Sequence, residues 1–283
     1  MRRPLLALAA LALSVPLAVG LQAPLEAKDK ITDAQTMAVV LADPRRDGDR
    51  ARDQYRHPAA TLAFFRIKPG MTVVDYDPGG GWYTRVLVPY LGDKGRYIGL
   101  NPDVRTASAN MQKGLGGLHE SFPPLVAGWS IMPGAPIEAW NSDTVPAALN
   151  GKADRVILMR WVHNLWRTDL LRRELATIRL LLKDDGLLGI EQHRAKGNAS
   201  ASYTDGSMGY LREADVIALI EACGFELVGK SEVNANRKDP ANHARGVWML
   251  PPNLSGVTDP AEKARLIEIG ESDRMTLLFK KRR

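Results

Sequence analysis

The chain has 283 residues, 45% of them hydrophobic, with 25 Gly and 18 Pro. That length and apolar content support one large core and exclude a disordered or collagen-like chain. The net charge is +6, but Arg2, Arg3, Lys281, Arg282 and Arg283 carry much of it at the two chain ends and the remaining bases alternate with acids, so a nucleic-acid partner is not expected. Cys223 is the single cysteine, which excludes an intrachain disulfide and leaves no early Cys for a lipid anchor.

In chain order, Met1-Arg2-Arg3-Pro4 precedes an apolar run from Leu5 to Val19, followed by Gly20, Ala23 and Ala27. A charged start, a short apolar core and a small-residue exit make a secretory signal peptide, cleaved between Gly20 and Ala27. The run, about 15 residues, falls short of the roughly 20 that cross a bilayer as a helix. Residues 1–27 are therefore expected to be a signal peptide and 28–283 one domain, periplasmic or secreted, with no membrane partner and an N-terminal helical cap over 28–70.

Ala34 to Ala42 has helical spacing, and the charged run DPRRDGDRARDQYR (43–56) reads as a solvated loop or short helix. His57-Pro58 opens a helix whose apolar face is Leu62, Phe65 and Ile67, stopped by Lys68-Pro69-Gly70. From there short β-branched runs alternate with helical spacing. Strands are expected at 71–76, 96–100, 153–161, 186–193, 225–233 and 275–281, and helices at 82–91, 103–114, 168–182 (capped by Thr168, closed by Asp184-Asp185-Gly186) and 211–224. Such alternation implies an α/β fold with a mainly parallel sheet covered on both faces, and the last two strands fit an antiparallel hairpin at one edge. The Gly- and Pro-rich segment from Gly114 to Asn150 reads as a lid.

Asp77-Pro78-Gly79-Gly80-Gly81 follows the first strand and opens a helix. Glycines there let a ligand approach main-chain N–H groups at a helix N-terminus, at the carboxyl end of a strand where open parallel sheets bind. Three segments, RHPAATLAFFRIKPGMTVVDYDPGGGWYTRVLVPYL, GYLREADVIALIEACGFELVGKSEVNANRKD and GESDRMTLLFKK, resemble in that order the predicted class I S-adenosylmethionine-dependent methyltransferases of bacteria. The resemblance runs from Arg52 to the end. It implies a Rossmann-like, seven-stranded sheet, S-adenosylmethionine as cofactor and a small-molecule acceptor. It implies cofactor contacts from Asp75, Asp77, Gly79, Gly80 and Gly81, and from Asn101 at the end of the second strand. Two positions depart from the pattern. Asn101 stands in place of the usual ribose-binding acid, and Asp77 in place of the first glycine of the loop.

Methyl transfer from a sulfonium is an in-line displacement, so the protein has to position the acceptor and supply a base at the carboxyl ends of strands. His163 and His193, leaving two of the later strands, are the catalytic candidates. Arg56, His57, Tyr83, Arg160, Asn164 and Glu191 are the substrate-binding candidates, and Trp82, Trp161 and Trp166 are expected beside the pocket. No metal site is expected, since the histidines lack a two-His spacing. No G-x-S-x-G elbow follows a strand, and a nicotinamide site fits less well because Trp82 follows the glycines directly. A different class of function stays open: a non-catalytic binding protein that keeps the fold and uses the pocket for another ligand.

Overall fold

The computed structural model describes residues 32–131 and 133–283; the signal-peptide segment lies outside the described residues. The chain there opens with α1 (Asp33–Ala42), whose N-terminus is closed by a reciprocal capping box between Thr32 and Gln35. Short helical turns follow, including α2 (Asp47–Arg50) and α3 (Asp53–Arg56), then α4 (Pro58–Phe64) with Pro58 at its first position.

The sheet has seven strands: β1 (Thr72–Tyr76), β2 (Arg96–Asn101), β3 (Ile137–Asn141), β4 (Ala153–Met159), β5 (Leu182–His193), β6 (Phe225–Ser231) and β7 (Arg274–Lys281). Their order is β3-β2-β1-β4-β5-β7-β6. Strands β3 to β5 pair in parallel, while β7 runs antiparallel to both β5 and β6. This is a Rossmann-like α/β fold with an antiparallel edge hairpin. The chain changes direction across the sheet between β1 and β4, and ligands of open α/β sheets bind at such a switch point.

Both faces of the sheet are buried, which explains the near-continuous apolar runs of its strands. Along β4, Val156 and Leu158 join one core cluster and Ile157 and Met159 the other, the period-two alternation of a strand. The helices after α4 are α5 (Thr84–Leu91), α6 (Ala109–Leu115), α7 (Leu118–Ala127), α8 (Val162–Arg167), α9 (Leu171–Leu181) and α10 (Glu213–Ala222). The first cluster packs under α9 and α10, and the second under α1, α4 and α5.

Four expectations need correction. The segment from Gly114 to Asn150 is no lid: Leu118–Ala127 is a helix, its Phe122 and Val126 in the core, and Ile137–Asn141 is the β3 edge strand missing from the sequence reading. The helix expected at 103–114 starts only at Ala109, because the Asp103 carboxylate accepts from the Arg105 N–H and guanidinium and closes its own turn. Thr168 does not cap α9. Its hydroxyl donates back to the Asn164 carbonyl at 2.7 Å, ending the short helix Val162–Arg167, and α9 runs straight into β5 at Leu182. The run 43–56 is not uniformly solvated either: Arg46 and Arg56 are 1% and 4% exposed.

Candidate functional site

At the carboxyl ends of β1 and β4 lies a cavity of about 480 Å³, lined by Arg52, Arg56, Asp75, Asp77, Gly79, Gly80, Tyr83, Arg160, His163, Asn164 and His193 among others. A larger groove of about 1610 Å³ opens at the amino ends of β4 and β5, walled by Arg179, Asp184, Lys280 and the C-terminal residues. Open parallel sheets bind at the carboxyl end, and the smaller cavity gathers the residues with chemistry.

The glycine loop forms one wall. Asp77 sits in the left-handed region with φ 52°, a conformation an aspartate tolerates better than most residues, while its N–H donates to the Leu100 carbonyl. Asp75 is buried, and the Tyr97 hydroxyl donates to it at 2.8 Å. Burial pushes the Asp75 carboxyl up to about 7 against the Tyr97 hydrogen bond, and burial pushes Asp77 to about 7 with Arg160 partly offsetting it. Among the described residues neither carboxylate has a salt-bridge partner.

The opposite wall is basic. Arg52, the N-cap residue of α3, and Arg56 at its end are four residues apart and both reach Glu271. Arg160 follows β4 with φ 60°, a left-handed conformation that costs a residue with a Cβ roughly 1–2 kcal/mol. Two buried glutamates compensate these cations. Glu271 lies 2.5 Å from Arg52, 3.3 Å from Arg56 and 2.9 Å from Arg274, and Glu191 lies 3.2 Å from Arg160 and 3.1 Å from Arg274. Burial would raise Glu271, but the three arginines outweigh it and hold the carboxyl down to about 2.

Between the walls, the rings of His163 and His193 are 5.6 Å apart. Burial lowers His163 to about 4 and takes His193 well below the ordinary range, with His163 and three arginines adding to the latter. Both rings are thus neutral at neutral pH. Gln192 donates through Nε2 to the Gly209 carbonyl at 2.7 Å, so its Oε1 faces His163 Nδ1 as acceptor at 3.3 Å. That assigns the proton of His163 to Nδ1 and leaves the lone pair on Nε2. His193 Nδ1 meets the Ser272 hydroxyl at 2.6 Å.

The structure thus gathers ten of the anticipated residues around one cavity and places four elsewhere. Gly81, with φ 75°, does not line it: a Cβ there would overlap the Trp129 ring, so its openness seats a tryptophan. Asn101 donates to the Leu115 carbonyl at 2.8 Å, and its Oδ1 is buried with no hydrogen-bond partner. His57 is exposed at the junction of α3 and α4, in a left-handed turn. Glu191 lies behind the wall, under Arg160 and Tyr83, whose hydroxyl donates to it at 3.3 Å. Trp82 and Trp161 line the cavity, whereas Trp166 is 43% exposed away from it. Sequence reasoning missed Asp49, Arg52, Glu271, Arg274 and Trp248; the i,i+4 spacing of Arg52 and Arg56 was the available signal for one of them. Among the described residues no group of three His, Cys, Asp or Glu side chains could hold a metal ion, and no helix is long and apolar enough to cross a membrane.

No family model and no curated protein matches the chain. Among solved structures it is similar to a SAM-dependent methyltransferase from Aquifex aeolicus, with 18% identity, 72% of this chain and 94% of that one covered, and a TM-score of 0.47. It is similar to Burkholderia thailandensis 1,6-didemethyltoxoflavin-N1-methyltransferase with bound 1,6-didemethyltoxoflavin and S-adenosylhomocysteine, at 15% identity over 96% and 94% of the two chains with a TM-score of 0.45. It is also similar to the cyclase SpnF, at 13% identity over 89% and 96% with a TM-score of 0.48.

Proposed function

We propose that this protein is an S-adenosylmethionine-dependent methyltransferase acting on a small molecule outside the cytoplasm, with residues 1–27 as its export signal. The observation that carries the reading is a cavity at the switch point of the sheet that joins a glycine loop, two carboxyls free of ion pairs and two neutral imidazoles. The residues fit the cofactor. Asp75 and Asp77 would take its cationic amine and sulfonium end and the main chain of Gly79 and Gly80 its carboxylate, whereas Asn101, buried away from the cavity, is not placed to meet the ribose. When bound, the cofactor supplies an electrophilic methyl group on sulfur. His163 Nε2 can then accept the acceptor's proton without first shedding one of its own, since its ring stays neutral above about pH 5. Asn164 and Tyr83 line the same space and would orient the acceptor.

A second reading, a binding protein without catalysis, is favoured by the Trp129 ring over Gly81 and by the amide at Asn101. Calorimetric titration of the full chain separates the two. Micromolar S-adenosylmethionine binding that tightens from pH 6 to pH 8 is the expected result, because Asp75 and Asp77 gain their negative charge across that window. S-adenosylhomocysteine, which lacks the sulfonium charge, should show a shallower dependence. No binding of either by a folded sample would leave the binding-protein reading.

A further inference from the structure

The basic wall is larger than its own acids balance. Arg52, Arg56, Arg160 and Arg274 form one connected network with Glu191 and Glu271, so guanidiniums exceed glutamates by two. Asp75 and Asp77 stand outside that network, and with both pushed to about 7 by burial they return about one negative charge at neutral pH. Arg52 and Arg160 are partly exposed, but at the buried Arg56 an uncompensated charge is costly unless a ligand completes it.

The geometry of Arg56 is the second observation. Its side chain is buried, and its guanidinium carbon stacks 4.6 Å from the centre of the Trp82 ring, which fixes its plane. Only Nε reaches a protein acceptor, Glu271 at 3.3 Å. Among the described residues its two terminal nitrogens make no hydrogen bond, although the residue lines the cavity. Burial and the neighbouring Arg160 depress its pKa to about 9, as expected of a cation without its full complement of anions. Arg160 likewise spends one terminal nitrogen on Glu191.

Chemistry separates this wall from the cofactor loop, because the main chain of Gly79 and Gly80 is assigned to the cofactor's carboxylate and leaves the arginines for another anion. The glycine loop and both aspartates follow β1, whereas the glutamates that anchor the arginines sit at the end of β5 and just before β7, two and three strands away. At about 4.8 Å per strand those glutamates lie roughly 10–15 Å from β1, and Arg56 reaches back from them to Trp82 beside the loop. We infer that the acceptor carries an oxyanion, a carboxylate or a phosphate group, gripped by the free edges of Arg56 and Arg52 while Arg160 spans the middle of the cavity. The assignment of this ligand as acceptor rests on the methyltransferase reading; its charge class does not.

The test is calorimetric titration of the full chain, alone and saturated with S-adenosylhomocysteine, using succinate, inorganic phosphate and the neutral diamide succinamide. Succinate or phosphate should bind and succinamide should not, and whichever anion binds distinguishes the two oxyanion sources. Arg56→Gln should weaken that binding about tenfold to a hundredfold and Arg52→Gln about threefold to tenfold, the range of one charge-assisted hydrogen bond. S-adenosylhomocysteine affinity should stay within about twofold in both. Anion binding unchanged in both folded variants, or absent from a chain that binds S-adenosylhomocysteine, overturns the inference and spares the methyltransferase reading. Arg56-dependent anion binding without any cofactor binding does the reverse. Should Arg56→Gln fail to fold, Arg52→Gln decides alone, since Arg52 is part-exposed at the cavity rim.

Discussion

Two buried acids in this fold contrast sharply. Asp239 accepts four hydrogen bonds, from His243 Nε2 at 2.9 Å, the Tyr210 hydroxyl at 2.9 Å and the Ala241 and Asp273 N–H groups at 2.8 and 2.9 Å. Burial alone would raise its pKa, but these donors hold it below the usual range. Asp75 is as deeply buried, accepts from Tyr97, and has its pKa raised to about 7. A buried carboxylate with all its donors supplied is part of the scaffold; one left short of them at a cavity wall has acceptor capacity that the protein does not fill. The same division separates the fully bonded acids from Arg56, whose terminal nitrogens open onto the cavity.

The largest way to break that comparison is Asp239→Ala. It strips the acceptor from four buried donors at once, and at roughly 1–3 kcal/mol for each orphaned group the loss should exceed about 4 kcal/mol in urea unfolding. Asp77→Gly at the cavity wall should do the opposite and stabilise by up to about 1 kcal/mol, because it relieves a left-handed aspartate. A loss of similar size at both positions would mean that Asp77 is as much a part of the scaffold as Asp239.

Asp75→Asn sharpens the contrast through pH. The unfolded carboxyl loses its proton near 3.8 whereas the folded one keeps it to about 7. Between those values the folded state binds more protons, and stability falls as pH rises. The wild type should therefore lose on the order of 4 kcal/mol across that window through this group, and the amide should not. His163 acts in the other direction. Its folded pKa of about 4 against an ordinary 6.5 makes stability rise with pH between those values. Only the difference between the Asp75→Asn and wild-type unfolding curves isolates the aspartate, and that difference should grow steadily from pH 4 to pH 7.

The sequence exposed the fold where local chemistry and tertiary packing agree. The β1 run, the glycine loop and the α10–β6 stretch all carry strong period and punctuation, and the structure follows them within a few residues. It hid β3 because Ile137–Asn141 is an edge strand of five residues preceded by Gly134 and Pro136, so neither length nor alternation stood out. Thr168 misled for a related reason: its hydroxyl had two helix ends within reach and closed the earlier one. The site was legible along β1, β4 and β5, where residues at strand ends must converge. Glu271, Arg274 and Trp248 were invisible because only the sheet order brings β7, and the loop that follows β6, to the same edge.

Gly81 and Trp129 give a smaller, steric test. Gly81→Ala puts a methyl group into the indole and forces a side chain into φ 75°, for a combined cost of about 2–3 kcal/mol. In a Trp129→Ala background the same substitution should cost only about 1 kcal/mol, the backbone share. A double-mutant cycle showing no coupling would mean that the loop moves away from Trp129, and that Gly81 is free to meet a ligand after all.

The smallest effect concerns how the cavity is roofed. Asp49 of α2 takes both Nε and a terminal nitrogen of Arg85 on α5, at 2.5 and 2.7 Å, while Trp82 Nε1 donates to the Asp49 carbonyl at 3.2 Å and the Arg85 guanidinium lies 4.8 Å over Trp129. This bidentate pair ties the charged N-terminal run to the glycine-loop helix across the cavity rim. It is partly solvated, so Arg85→Gln should cost only about 1 kcal/mol in global stability. Its local consequence is larger in kind, because the segment carrying Arg52 and Arg56 is pinned to α5 through this contact. Trypsin cleavage between residues 44 and 56 should accelerate in Arg85→Gln while the unfolding midpoint barely moves, and any ligand held in the cavity should dissociate faster. Cleavage at the wild-type rate would mean that Glu271, through its bonds to Arg52 and Arg56, secures the roof without help from Asp49.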